Sequence, residues 1–328
     1  MAPSVGLFPR STTHTSLVDF AVRAEALGYT SVWIGEGVEH NLFVKLSEIA
    51  TQTSSITLGS GIANVYTRTP TLLAMSAMSL QRQSGGRFIL GLGASHPPIV
   101  EDYHGLAFDR PLQRLEETVD IIKALTSDDD STEYDGDIFS VCDLPCREVQ
   151  VPLYNAAIGP ANRRLTGQLF DGWIPYGIPL PALESATTEI ESGRESIGRC
   201  PDSIEIVPWI TAAVSDDRKT AYDAVRQHIT TFVSRFDAYR RAFAQQYPEV
   251  IDDLTTAIAA GNDSDAIAHI TDEMVATFAI AGEPKSAREQ VRAVFDREYI
   301  DSVVLTTPRT ASDGVIEQTI SELAPSTL

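Results

Sequence analysis

An alternation of short apolar runs with amphipathic helical stretches, repeated almost from end to end, constrains this chain more than any other feature. Val5-Gly6-Leu7-Phe8 reads as a strand closed by Pro9. Leu17, Phe20, Ala21, Ala24 and Leu27 then share one face of a helix that Gly28 ends. Further strand-like runs at 31–34, 56–59, 88–90, 153–156, 172–174, 204–210 and 302–305 bring the number to eight, with helical patterns between them. Strands alternating with helices predict an α/β fold with a parallel sheet. Eight short strands are what a (β/α)8 TIM barrel requires, while an open doubly wound sheet has the same periodicity and stays possible. Two stretches break the rhythm. Residues 128–141 are polar and end in Ile138-Phe139-Ser140-Val141, which predicts a surface hairpin. Residues 217–275 are helical throughout, too long for one crossover, and predict an insertion after strand seven that could form a lid or a dimer contact. No linker composition divides residues 1–328, so a single barrel domain is expected.

Composition narrows the partners. The 328 residues are 43% hydrophobic, enough for a large core. No apolar stretch reaches spanning length and no leader pattern opens the chain, so a soluble cytoplasmic protein is expected. Asp and Glu number 45 against 25 Lys and Arg, a net charge of −20, and only Lys45, Lys123, Lys219 and Lys285 are lysines. Diffuse acidity with few lysines suits a salt-rich, halophilic cytoplasm, the alternative being an ordinary acidic protein. Without a basic stripe, nucleic acid is not an expected partner. Cys142 and Cys146 have no histidine or second cysteine pair nearby, so no metal site is expected there.

In a barrel the chemistry belongs at the C-terminal ends of the strands. The segment SGGRFILGLGASHPP, Ser84 to Pro98, carries Gly91-Leu92-Gly93 but has His96 where a dinucleotide loop needs a third small residue. Pro97-Pro98 argue against a helix N-terminus opening there. The segment therefore reads as the end of strand four, presenting Ala94, Ser95 and His96. Other strand ends offer Pro9-Arg10, Gly35-Glu36-Gly37, Gly61-Ile62-Ala63-Asn64 and Ala157-Ile158-Gly159-Pro160. His96 suits general acid or base work, a surface loop histidine being the alternative. Glu36 could take a proton or accept a hydrogen bond from a bound ring, or be an ordinary salt-bridge partner. Ile158, Gly159 and Pro160 look like a phosphate cradle at a helix start, or a plain turn. The aromatic residues are scattered and read mostly as core. Zinc-protease, α/β-hydrolase and P-loop motifs are absent.

LGSGIANVYTRTPTLLAMSAMSLQRQSGGRFILGLGAS (58–95), NAAIGPANRRLTGQLFDGWI (155–174) and FAIAGEPKSAREQV (278–291) together resemble the bacterial luciferase-like superfamily. Within it the chain is most similar to the branch that uses the deazaflavin coenzyme F420, which includes methylenetetrahydromethanopterin reductases. The resemblance implies a barrel with the cofactor ring at the strand C-termini, near Gly61, Ile62, Ala63, Asn64, Ala94 and Ser95. It implies a non-prolyl cis peptide at Gly61-Ile62 and phosphate binding by the backbone amides of Ile158 and Gly159, with Pro160 beside them as the first residue of the helix. It also implies a homodimer or higher homo-oligomer. The implied activity is hydride transfer between F420 and a small organic substrate, a reduced pterin or folate C1 carrier being one. An FMN-dependent monooxygenase and a non-catalytic flavin-binding paralogue are the alternatives. The chain departs from the branch in two places. It has Glu36-Gly37 where an Asp-His pair is common, and strand one lacks the glutamate of the reductases.

Overall fold

The alternation produces a curled, almost wholly parallel sheet. The structure is a computed structural model that describes residues 4–9, 16–36, 40–200 and 204–328. Strands β1 (Val5–Phe8), β2 (Ser31–Ile34), β3 (Thr57–Ser60), β4 (Ala63–Asn64) and β5 (Phe88–Gly93) form its first half. After the hairpin β6 (Ser131–Asp135) and β7 (Ser140–Pro145) come β8 (Leu153–Asn155), β9 (Gly172–Trp173), β10 (Glu205–Ile206), β11 (Trp209–Val214), β12 (Ala279–Gly282) and β13 (Val303–Thr306). β1 pairs with β2 and β13, and the order continues through β3, β5, β8, β9 and β10.

Closure happens in one segment. Glu205, Val207 and Trp209 donate their N–H groups to Asp171, Trp173 and Pro175 on one side. On the other, Val304 N–H donates to Pro208, and Trp209–Thr211 run beside Val304–Thr306. β10 and β11 are thus one barrel strand interrupted at Val207-Pro208, where proline has no N–H for the ladder. The eight expected strand positions close into a barrel. Its interior is packed, as barrels of this size are: Trp33, Tyr154, Ile174, Val207, Trp209 and Val304 form one buried cluster. Trp33 fits because β3 carries glycine opposite it. A Cβ on Gly59 would lie 2.1 Å from the Trp33 ring.

Outside the barrel lie α1 (Leu17–Ala26), α2 (Leu42–Gln52), α3 (Pro70–Gln83), α4 (Pro111–Leu125), α5 (Pro160–Leu169), α6 (Leu183–Ala186) and α7 (Thr188–Ser196). Capping side chains fix several starts: Ser16, Asn41 and Thr69 accept backbone N–H groups at α1, α2 and α3. The hairpin is tied to α4 by Glu117, whose buried carboxylate accepts N–H groups from Asp137, Ile138 and Phe139.

The helical stretch after strand seven is α8 (Arg218–Arg235), α9 (Asp237–Ala244), α10 (Pro248–Ala259), α11 (Asp263–Ala268) and α12 (Asp272–Phe278). It has its own apolar cluster, including Val225, Ile229, Phe243, Leu254 and Met274. α13 (Pro284–Phe295) and α14 (Asp313–Glu322) complete the chain's helices. Among the described residues no helix is long and apolar enough to cross a membrane.

Three expectations need correction. β12 was not anticipated: Ala279-Ile280-Ala281-Gly282 pairs with Thr211–Val214, the part of β11 that runs on past its pairing with β13. A four-residue apolar run has no periodicity to separate it from the end of a helix. The peptide between Gly61 and Ile62 is trans, since no cis peptide occurs among the described residues. Finally, a short π-helical turn does open beyond His96, at Pro98–Tyr103. Prolines at its very start need no N–H there, so they initiate the turn instead of preventing it.

Candidate active site

The C-terminal ends of the strands bring most of the sequence candidates to one end of the barrel. After β2, Glu36 is held on both carboxylate oxygens: Oε1 pairs with the Arg68 guanidinium and Oε2 accepts the Asn64 N–H at 3.1 Å. The Arg68 side chain is only 10% exposed and that of Glu36 16%, so solvent does little to weaken the pair. Asn64 Oδ1 accepts the Tyr66 N–H, and Ala63-Asn64 form a two-residue strand beside Leu92-Gly93. Glu36 is therefore tied to the bulge after β3. No hydrogen bond or ring contact among the described residues joins it to His96. Arg10 and Gly37 lie outside the described residues.

The bulge is tightly backed. A Cβ on Gly61 would lie 2.4 Å from the Trp209 ring and 3.1 Å from Phe8, and those two rings sit 4.6 Å apart. Ile62 packs on Gly93, where an added Cβ would meet it at 2.3 Å. Trp209 Nε1–H is buried and has no partner among the described residues.

His96 follows β5 through Ala94 and Ser95, and Ser95 takes a left-handed φ of 61° that turns the chain. The imidazole lies 4.6 Å from the Phe236 ring and 5.7 Å from Tyr239, both supplied by the helices after strand seven. Burial lowers the His96 pKa below its ordinary value of 6.5. The ring is thus neutral at neutral pH, with a nitrogen available to accept a proton.

At the end of β8, α5 opens at Pro160 with Gly159 as its N-cap and no side chain capping it. Both residues are exposed, and a Cβ built on Gly159 meets nothing within 4 Å. An uncapped helix start with open space beside it can receive a phosphate on its backbone N–H groups. Arg163, in the first turn, is engaged by Glu189 and the Ile158 carbonyl.

The structure adds residues that the sequence reading passed over. Tyr176, three residues past β9, hydrogen-bonds His228 Nε2 at 2.6 Å and contacts Thr211 Oγ1 at 3.3 Å. Phe232, Phe236 and Tyr239 form a wall against His96 and Tyr176, so these aromatics are not merely core. Their i, i+4 and i+7 spacing reads as a buried helix face and gives no hint of what they face. His40, four residues beyond Glu36, has a buried Nε2 with no partner among the described residues. A histidine does therefore stand in the β2–α2 connection, beyond the place where the Asp-His pair was sought.

Residues 5–301 match the family model described as luciferase-like monooxygenase. The chain belongs to that family. A Mycobacterium tuberculosis protein that bears the name of a coenzyme F420-dependent oxidoreductase is 27% identical, over 89% of this chain and 90% of its own. The 5,10-methylenetetrahydromethanopterin reductase of Archaeoglobus fulgidus is 28% identical over 87% of each chain. The coenzyme F420-dependent tetrahydromethanopterin reductase of Methanopyrus kandleri superposes with a TM-score of 0.79 at 23% identity, covering 98% of this chain and 97% of its own. That last likeness establishes a shared barrel fold.

Proposed function

We propose that this luciferase-like protein is an oxidoreductase that uses coenzyme F420 as its hydride carrier. The observation that carries the reading is the open, uncapped start of α5 at Gly159-Pro160, on the barrel end where His96 and the Glu36-anchored bulge also lie. The F420-dependent relatives support the choice of cofactor. Bound F420 would accept or donate a hydride at its ring. The amides around Ile158 and Gly159 would hold its phosphate, and Gly61, Ile62, Ala63, Asn64, Ala94 and Ser95 would line its ring. His96, half-buried and with its pKa lowered by desolvation, accepts the proton released when a substrate is oxidised and returns it in the reverse direction. Glu36 positions: it holds Arg68 and the Asn64 backbone so that the bulge keeps one shape. Helices α8–α12 form an insertion within one barrel domain, and its α8–α9 junction and α9 cover the His96 side and limit access of water. The pterin reductase relatives support a reduced C1 carrier as one substrate.

A second reading, an FMN-dependent monooxygenase, draws on the family's description and on the same aromatic enclosure, which would shield an oxygen-reactive flavin. A fluorescence titration with F420 and FMN in parallel, in high KCl, separates the two. Tight F420 binding with weak FMN binding is expected. The reverse moves the assignment to the monooxygenase, and binding of neither removes the cofactor assignment altogether.

Self-association belongs to the same proposal. Val44 on α2 and Leu72 and Met75 on α3 are about half exposed, an apolar face that a second copy would cover.

A further inference from the structure

The connection from β5 to α4 is a self-contained piece of chain at the barrel mouth, and only His96, at its start, belongs to the candidate site. It leaves the strand at Ser95 and enters the helix at Arg110, and both take left-handed backbone angles, with φ of 61° and 43°. Neither is glycine, and that conformation is unfavourable for any residue with a Cβ, most of all a bulky one. Between them the chain bonds to itself. The His96 carbonyl accepts the Ile99 and Val100 N–H groups, and the π-helical turn Pro98–Tyr103 follows. Gly105 N–H donates to the Glu101 carbonyl, Leu106 N–H to the Val100 carbonyl and Phe108 N–H to Glu101 Oε1. Residues 96–109 therefore hold their shape largely through their own hydrogen bonds.

Their attachment to the rest of the protein is slight. Val100 is the one buried side chain, and residues 101–107 are all exposed. Among the described residues, the polar ties to other elements both end on Asp109, next to Arg110. Its carbonyl accepts the Tyr66 hydroxyl at 2.7 Å, and its carboxylate meets the Arg114 guanidinium at 3.4 Å. The far end of the segment carries Tyr103 and Leu106, 59% and 41% exposed. Two large apolar side chains thus stand in water beside a barrel mouth, where the reacting groups of a barrel enzyme sit.

We infer that residues 96–109 are a lid. On cofactor binding the segment turns about Val100, Ser95 and Arg110 absorb the change of direction, and Tyr103 and Leu106 are laid against the bound cofactor. This rests on the reading of the barrel mouth as the redox site. Hinges of this kind need only a few residues whose backbone angles can change, and leaving the left-handed region relieves both of these. In the empty site the two apolar side chains have nothing to cover, so they stay in solvent. A bound ring gives them a surface, and their removal from water then favours closure. Phe236 and Tyr239 already wall His96 on one side. The lid closes the mouth from the β5 side and completes the exclusion of water around the transferred hydride.

β5 and β13 hold the fourth and eighth of the eight strand positions, so the loop after β13 faces the lid across the barrel. Spin labels on Tyr103→Cys and Thr310→Cys, with exposed Cys142 and Cys200 replaced by serine, measure that gap by double electron–electron resonance. The protein is examined alone, with F420 and with FMN. The distance should shorten by several ångströms with whichever cofactor binds. In parallel, Tyr103→Ala with Leu106→Ala removes side chains that are exposed in the empty protein. Its unfolding midpoint should match the parent, while cofactor affinity, read by fluorescence titration, falls about tenfold, the scale of burying one large apolar side chain. A distance that ignores bound cofactor overturns the lid, and so does parental affinity in the double alanine variant. Binding of neither cofactor overturns the cofactor reading instead. The ligand-free distances then decide the lid: a second, shorter population upholds it and a single narrow one overturns it.

Discussion

Removing the Glu36 carboxylate tests whether this residue is a proton carrier or a clamp. In Glu36→Ala the Arg68 guanidinium, 10% exposed, stays in place with its counter-ion gone, and the Asn64 N–H loses its acceptor. Stripping one partner from a buried ion pair costs about 3–5 kcal/mol. With both side chains retaining some solvent contact, about 2–3 kcal/mol is the fitting scale. The unsatisfied amide adds roughly 1 kcal/mol. For a chain of 328 residues the sum, about 3–4 kcal/mol, corresponds to a fall of roughly 4–6 °C in the unfolding midpoint. Arg68→Met removes the guanidinium, which also lies over the Phe43 ring, and leaves Glu36 bound only to Asn64. The double variant has neither stranded charge, so its loss should fall short of the summed single losses by about 2 kcal/mol. Differential scanning fluorimetry of the four proteins, with F420 affinity measured on each, makes the comparison. A clamp predicts large single losses, positive coupling and weakened F420 binding wherever the bulge is released. The reasoning is refuted if Glu36→Ala melts with the parent, or if the double variant loses the full sum. A fall in turnover in Glu36→Gln at parental stability and F420 affinity would restore Glu36 as a proton handler.

Four further outcomes follow from the same structure. Gly159→Ala places its methyl in open space, so unfolding should be unaffected while F420 binding weakens about tenfold if the phosphate rests on that amide; equal affinity would separate α5 from the cofactor. Burial alone would raise the Glu25 carboxyl, but N–H groups of Ser55, Ile56 and Ser54 and the Ser55 hydroxyl outweigh it and lower its pKa from 4.5 to about 2. Its stabilisation is therefore whole above 4.5 and lost as pH falls toward 2. Urea midpoints of the parent and Glu25→Gln should converge over that window, and a constant gap would disprove the linkage. Leu72→Glu with Met75→Glu should shift the sedimentation coefficient to that of a monomer without unfolding the barrel; an unchanged assembly would place the interface elsewhere. With a net charge of −20, the unfolding midpoint should rise from low to high KCl, and indifference to KCl would remove the salt-adaptation reading.

The barrel was legible because its signals are local. Each strand is a short apolar run beside a helix with a 3.6-residue stripe, and Pro160 marks a helix start by its fixed φ wherever the fold places it. What escaped the sequence depends on partners far along the chain. Glu36 reads equally well as acid, base or salt-bridge partner until Arg68 and Asn64 are seen on its two oxygens. Pro208 interrupts the strand that closes the barrel, so the run at 204–210 contains two ladders with different neighbours. Phe232, Phe236 and Tyr239 carry the periodicity of an ordinary core helix, yet Phe236 and Tyr239 face His96, more than a hundred residues earlier, and Phe232 stands against Tyr176. Tyr176 and His228 are 52 positions apart and share a hydrogen bond that no spacing rule anticipates. The division has a physical basis: propensity and periodicity act within one element, whereas the cluster of Tyr176, Thr211 and His228 exists only where the chain after β9, β11 and α8 meet. A family member can thus keep the barrel and the open start of α5 while exchanging the residues of α8 and α9. Phe232, His228 and Tyr239 can then be exchanged without disturbing the strands that build the barrel.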